Sequence, residues 1–261
     1  MTEHMRTSLR RKAAVAIFAV ATAFCGGQAN ASVIQLGFIL DSSGSIGSGN
    51  WSTIINGLGN AVNTLVPTDG SYEVSVVSFS SGASIIVDHV LIDSVATRSS
   101  VASTISSTTT NPFLNGGTAM DTGFSTMQAA LTSSSLFDAN GASYVNLATD
   151  GIPNSTTAAT AARDALIAAG IDNISIEAIG TGVDATYLQN SLCYPQACDT
   201  TSPYNFPSQG FYIPVSDAAG YVGAINTKIR TVVGNVPEPN VVLIFGLGLL
   251  SLVLVRRLAT H

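Results

Sequence analysis

Val33-Ile34-Gln35-Leu36-Gly37-Phe38-Ile39-Leu40-Asp41-Ser42-Ser43-Gly44-Ser45 decides the architecture. Eight mostly apolar residues run without interruption and stop at a carboxylate, the profile of a strand buried on both faces. Downstream, Trp51, Ile54, Ile55, Leu58, Val62 and Leu65 recur at helical spacing. A fully buried strand that turns directly into an amphipathic helix is the opening unit of an α/β sheet. It also puts Asp41, Ser43 and Ser45 at the carboxyl end of that strand, where such sheets bind ligands.

The same rhythm continues outward. Tyr72, Val74 and Val76 alternate with polar residues, and Ile85 to Ile92 is a second strand-rich stretch across a turn at Gly82, so an antiparallel hairpin is expected there. A weaker helix spans Ser94 to Ile105. After Asn115-Gly116-Gly117, the residues Met120, Phe124, Met127 and Leu131 mark a helix face. Ala142 to Ala148 reads as a strand ending at Thr149-Asp150, and Ser155 caps a helix through Ala169, closed by Gly170. Ile174 to Ile179 is a strand, Asp184 to Leu192 a short helix, Gly210 to Val215 a last strand, and Ala219 to Val232 a terminal helix. Alternating strands and helices predict a doubly wound, Rossmann-like, mostly parallel sheet with one antiparallel edge strand and helices on both faces.

Three segments within this pattern carry chemistry: Asp41-Ser42-Ser43-Gly44-Ser45, Gly116-Gly117-Thr118 and Thr149-Asp150-Gly151. Each lies where a strand or glycine turn gives way to a helix. Asp41, Ser43, Ser45, Thr118 and Asp150 supply two carboxylates and three hydroxyls, hard oxygen donors suited to Mg2+, with Mn2+ or Ca2+ as alternatives. The competing reading is that Ser43, Ser45 and Thr118 cap helices and Asp150 closes a turn. These motifs, in this order and spacing, resemble the metal-ion-dependent adhesion site of von Willebrand factor A domains. The resemblance covers nearly all of Val33 to Val233 and fills all five positions. It implies that the hydroxyls ligate the ion directly or nearly so, that one or both aspartates act through water, and that an acidic group from a partner completes the shell.

The ends of the chain speak of export. Arg6, Arg10, Arg11 and Lys12 precede an apolar stretch from Ala13 to Phe24, and Ala29-Asn30-Ala31 offers a cleavage site. Residues 1–31 therefore read as a secretory signal peptide, the apolar run being short for a membrane anchor. Arg10-Arg11 leaves Sec and twin-arginine routes both open. At the other end, Val236-Pro237-Glu238-Pro239 precedes an apolar helix at 241–255, followed by Arg256-Arg257. This arrangement closely resembles the PEP-CTERM sorting signal of Gram-negative bacteria, and a plain C-terminal transmembrane anchor is the bland alternative. The resemblance assigns 236–261 to sorting, implies an exosortase-type processing enzyme as partner, and places the protein in the periplasm, at the cell surface or in the extracellular matrix. Membrane contact is expected only through that segment.

The intervening domain, 32–235, carries four basic residues (Arg98, Arg163, Lys228, Arg230) against fourteen acidic ones, which excludes nucleic acid as a partner. Its two cysteines, Cys193 and Cys198, most simply form a local disulfide in an oxidising compartment, and with no histidine near they fall short of a zinc site. Catalysis finds little support. A haloacid-dehalogenase-type phosphatase needs a second acid where Ser43 stands. A serine hydrolase needs Gly-x-Ser-x-Gly and a histidine base, and His89 has no evident partner. No phosphate loop is present, since Asn50 and Trp51 follow Gly49. The expected function is a non-enzymatic, exported adhesion module that captures an acidic protein or polysaccharide, with a link to exopolysaccharide or biofilm matrix. The alternative is a structural envelope or matrix protein whose metal only stabilises the fold.

Overall fold

The structure, a computed structural model, describes residues 32–195 and 197–234. The expected signal peptide and the apolar helix at 241–255 lie outside the described residues. Among the described residues no helix is long and apolar enough to cross a membrane.

Six strands form one sheet in the order β3-β2-β1-β4-β5-β6: β1 Ile34–Asp41, β2 Tyr72–Phe79, β3 Ala83–Leu91, β4 Ser143–Thr149, β5 Asn173–Ile179 and β6 Tyr212–Val215. All neighbours run parallel except β2 and β3, which form the antiparallel hairpin and leave β3 at the edge. β1 is central and every one of its eight residues is buried, the polar Gln35 and Asp41 included. Six helices cover the sheet: α1 Ser48–Leu65, α2 Val95–Ser106, α3 Met120–Ser133, α4 Thr156–Ala168, α5 Ala185–Tyr187, which continues as a π-helical turn over Leu188–Leu192, and α6 Ala218–Gly234.

Two cores result from the alternation of strand side chains. On one face Leu36, Phe38, Leu40, Val74 and Val76 pack with Trp51, Leu58 and Val62 of α1, Val101 and Ile105 of α2, and Tyr221, Ile225 and Ile229 of α6. On the other, Ile39, Val77, Val145, Leu147 and Ile176 meet Phe124 and Met127 of α3 and Leu166 of α4. Local signals set the boundaries. Ser94 and Ser155 cap α2 and α4 by accepting hydrogen bonds from the backbone N–H groups of Thr97 and Ala158, and Asp184 caps α5 through Tyr187. Gly170 closes α4 in a left-handed conformation at φ 107°. Cys193 and Cys198 are joined in a disulfide, their Cα atoms 5.3 Å apart, next to Tyr194, which pairs with Ile174 of β5. His89 departs from regular strand geometry, with φ 35° at an irregularity in the β2–β3 ladder, and its ring meets Asp88.

α1 and α2 cross closely at Gly59. A Cβ there would stand 2.8 Å from the Ala102 carbonyl oxygen and press on Ser106 Oγ. Helix propensity alone favours Gly59→Ala by about 1 kcal/mol. The backbone contact is expected to win, so that G59A lowers stability by about 1–3 kcal/mol in chemical denaturation. A stabilised G59A would show that the two helices can part freely.

Candidate metal centre

The carboxyl ends of β1 and β4 meet at the centre of the sheet. After β1 the chain runs to one face and builds α1, and after β4 it runs to the other and builds α4. A crevice opens where neighbouring strands send their connections to opposite faces, and the expected site residues gather at it.

Asp41 is the deepest of them, with 1 % of its surface exposed. Its Oδ1 accepts from the Ser43 backbone N–H at 2.8 Å, and its Oδ2 accepts from Thr149 Oγ1 at 2.6 Å. The Ser43 and Ser45 hydroxyls share a hydrogen bond of 3.1 Å, and Ser45 Oγ donates to Asp150 Oδ1 at 2.7 Å. Thr118 enters from the second loop, between α2 and α3. A methyl group placed on Gly151 would stand 3.4 Å from Thr118 Oγ1 and 3.7 Å from Ser45 Oγ, so both hydroxyls border the small space that Gly151 leaves clear. Burial falls from Asp41 and Ser43 through half-buried Thr118 and Asp150 to exposed Ser45, which leaves the cluster open to solvent on one side.

Backbone hydrogen bonds hold the loops in register. Gly44 N–H donates to the Gly116 carbonyl at 2.8 Å and Asn115 N–H to the Ser42 carbonyl at 3.1 Å, while Ser42 Oγ accepts from Leu114 N–H. Thr118 is clamped by Asn154, whose Oδ1 accepts the Thr118 N–H at 3.0 Å and whose own N–H donates to the Thr118 carbonyl at 2.8 Å. Gly117 N–H donates to Ser81 Oγ at 2.9 Å.

The competing cap reading fails on geometry. The residues at the start of α1 and α3 are Gly47 and Ala119, and neither helix has a side-chain cap. The hydroxyls of Ser43, Ser45 and Thr118 are therefore not spent on helix ends. Asp121 instead lies in the first turn of α3, and Asp138 accepts from the Asn140 N–H in a surface turn. Among the described residues no group of three or more His, Cys, Asp or Glu stands together, so the donor set depends on hydroxyls. Such a set suits a hard cation that keeps part of its water shell.

Electrostatics favour the same occupant. Burial pushes the Asp41 carboxyl up to about 6, against the hydrogen bonds from Ser43 and Thr149, and the charge of Asp150 adds to the rise. Burial also raises Asp150, opposed by the bond from Ser45. Two carboxylates held together and partly shielded from water are poorly stabilised without a counter-charge. Thr149 stands in the Thr149-Asp150-Gly151 segment without being read as a donor, and Asn154 lies outside the three segments, because one acts by tying Asp41 and the other by fixing the backbone of Thr118.

Residues 35–209 match the von Willebrand factor type A domain. The chain belongs to that family. In this von Willebrand factor A protein, residues 235–257 also match the PEP-CTERM protein-sorting motif. No curated protein matches the chain. Among solved structures, the domain is similar to the manganese-loaded TRAP protein of Plasmodium vivax, at 22 % identity and a TM-score of 0.53 over 74 % of this chain and 72 % of that one. The proximal thread matrix protein 1 of mussel byssus, with zinc in its MIDAS motif, is similar at 20 % identity and a TM-score of 0.58, over 78 % of this chain and 46 % of that one. The pilus adhesin SpaC of Lactobacillus rhamnosus GG is similar at 13 % identity and a TM-score of 0.57, over 80 % and 31 %. The chain thus spans under half the length of the mussel and pilus proteins, and these likenesses speak to the fold.

Without metal, Asp41 binds its proton more tightly in the fold than in the unfolded chain, so its contribution to stability is greatest in acid and falls as pH rises from about 4 to 6. The loss is on the order of 3 kcal/mol. In EDTA, the stability of Asp41→Asn relative to wild type is expected to climb through that window, measured by urea denaturation at stepped pH. A difference that stays flat would show that Asp41 is not held in a charge-poor environment.

Proposed function

We propose that Asp41, Ser43, Ser45, Thr118 and Asp150 form a metal-ion-dependent adhesion site in a domain spanning 32–235, and that this exported module captures an acidic group on a protein or polysaccharide. The observation that carries the reading is the convergence of three loops on two carboxylates and three hydroxyls that no helix cap consumes. Mg2+ is the expected ion, with Mn2+ or Ca2+ as alternatives, since all accept hard oxygen ligands. A divalent cation held there supplies the positive charge to which an acidic partner binds. The protein's own part is to fix the donors. Thr149 and the Ser43 amide orient Asp41, Ser45 orients Asp150, and Asn154 sets the loop that carries Thr118. Exposed Ser45 and half-buried Asp150 leave the side from which a partner approaches.

Two features outside the site support an exported life. The sorting motif at 235–257 implies processing by an exosortase-type enzyme. The excess of acid over base in the domain disfavours nucleic acid as a partner. A place at the surface or in the exopolysaccharide matrix of a Gram-negative bacterium fits both, with membrane contact confined to the C-terminal segment. The family relatives named for adhesion or thread matrix make a non-catalytic role the natural one.

Thermal unfolding with and without Mg2+ or Mn2+ tests the site. At a hundredfold excess over Kd, binding stabilises by about 2.7 kcal/mol, a rise of about 5–10 °C for a domain of this size. Asp41→Ala and Thr118→Ala are expected to lose that rise. Retention of an acidic polymer, such as alginate or a polyglutamate surface, in Mg2+ but not in EDTA then separates adhesion from a metal that only stabilises the fold. Equal retention in both overturns the adhesive reading.

A further inference from the structure

Beneath α6, on the face of the sheet it shares with α1 and α2, three reactive side chains are buried without partners. Asn146 of β4, Glu177 of β5 and Lys228 of α6 are 1 %, 0 % and 2 % exposed. Both amide atoms of Asn146, both oxygens of Glu177 and Nζ of Lys228 lack any hydrogen bond. Native interiors rarely leave one such atom unpaired, and here these five lie in one region together with the unpaired Tyr221 hydroxyl.

Their placement is specific. Asn146 stands opposite Ser175 in the parallel ladder and Glu177 opposite Ala148, so Asn146 and Glu177 are diagonal neighbours pointing to the same face. The amide lies beside the carboxyl and favours its charged form, without forming a well-aligned hydrogen bond. Lys228 Nζ sits 4.1 Å from the ring centre of Phe211 and 5.8 Å from that of Phe206. Tyr204 stacks on Phe211, and Phe206 meets it edge-on, so the amine lies in an aromatic enclosure. Burial lowers the Lys228 amine to about 7, opposed by the charge of Glu177, and raises the Glu177 carboxyl to about 7, opposed by Lys228. In such surroundings a proton passes readily from ammonium to carboxylate, leaving a neutral amine and a neutral acid.

We propose that Lys228 and Asn146 become joined by an intramolecular isopeptide bond, with Glu177 carrying the protons. Lys228 first yields a proton to Glu177. The neutral Nζ attacks Cγ of Asn146 while the Glu177 acid donates a hydrogen bond to the amide oxygen. One further proton moves from Nζ to Nδ2, the Cγ–Nδ2 bond breaks, and ammonia departs. The Nζ–Cγ bond remains as a secondary amide and Glu177 is left protonated. The sum is amine plus primary amide giving secondary amide plus ammonia, with no oxidant, metal or co-reactant. The bond ties α6 to β4, the strand that ends at Thr149 next to Asp150. Because α6 ends at Gly234, just before the sorting motif at 235–257, tension on a C-terminal attachment would be borne by a covalent link instead of helix packing alone. The inference is independent of any metal.

Mass spectrometry of the purified full chain, denatured and with its disulfide reduced, followed by proteolytic mapping, tests it. The wild type is expected to be lighter than its sequence by one ammonia, with a branched peptide joining positions 146 and 228. Asn146→Asp is expected to lose water in place of ammonia and form the same branch. Glu177→Gln, close to isosteric, is expected to keep its full mass while circular dichroism shows it folded, and K228M to keep its full mass whether or not it folds. A folded wild type at full mass overturns the proposal, as does a loss of ammonia without the branched peptide, the signature of succinimide formation at an Asn-Gly step. A branched peptide in folded E177Q would remove Glu177 from the chemistry.

Discussion

The buried carboxylate of Asp41 is the constraint on which the rest of the site depends. It stands at the end of the central strand, shielded from water, and stays there because a backbone N–H and the Thr149 hydroxyl accept the cost of its burial. Those two bonds commit the loop after β1 to turn tightly at Ser43 and commit the end of β4 to lie alongside it. The second loop is tied to the first, since Gly44 and Gly116, and Ser42 with Asn115 and Leu114, are bonded across the gap. A single charged group thus organises three chain segments that are far apart in sequence. The arrangement is poorly neutralised in isolation, which is the electrostatic reason it suits a cation.

The second buried charged group lies in the opposite depth of the fold and answers to a different logic. Asp41 is bonded by its neighbours and close to solvent through Ser45 and Asp150. Lys228 lies against the rings of Phe211 and Phe206, and the side-chain polar atoms of Glu177, Asn146 and Lys228 are buried without hydrogen bonds. The first is open to solvent on one side. The second gathers an amine, a carboxyl and an amide whose polar atoms no hydrogen bond satisfies. Both sit on β4 and its neighbours, so the strand that delivers Asp150 to the surface also carries Asn146 into the core.

Much of this was legible in advance where a local rule operates. The uninterrupted apolar run of β1, the alternation in β2, the caps at Ser94, Ser155 and Asp184 and the closure at Gly170 all follow from backbone chemistry that acts within a few residues. Of the five candidate oxygen donors, Asp41, Ser43, Ser45 and Asp150 lie at or just after the ends of β1 and β4, which the topology of a doubly wound sheet brings together, whereas Thr118 comes from the loop between α2 and α3. Less legible were partners that act across the fold. α2 has weak periodicity, and its close approach to α1 at Gly59 is a feature of two helices and not of one. Asn154 and Thr149 look like ordinary loop and strand residues until Thr118 and Asp41 are placed beside them. Lys228 reads as a surface lysine on a terminal helix, and only the docking of α6 puts it over Phe211.

By itself the sequence determined the order of elements, the doubly wound sheet with one antiparallel edge, the residues of the candidate site and the sorting segment. These depend on periodicity, turn chemistry and short spacing, which are local in the chain. Only the tertiary structure decided that the hydroxyls of Ser43, Ser45 and Thr118 are free of helix caps, that Thr149 holds Asp41, and that Asn146, Glu177 and Lys228 are buried on one face of the sheet without hydrogen bonds. Those outcomes depend on which faces meet after packing, because hydrogen bonding and desolvation are set by neighbours in space, and the chain does not write its spatial neighbours down in order.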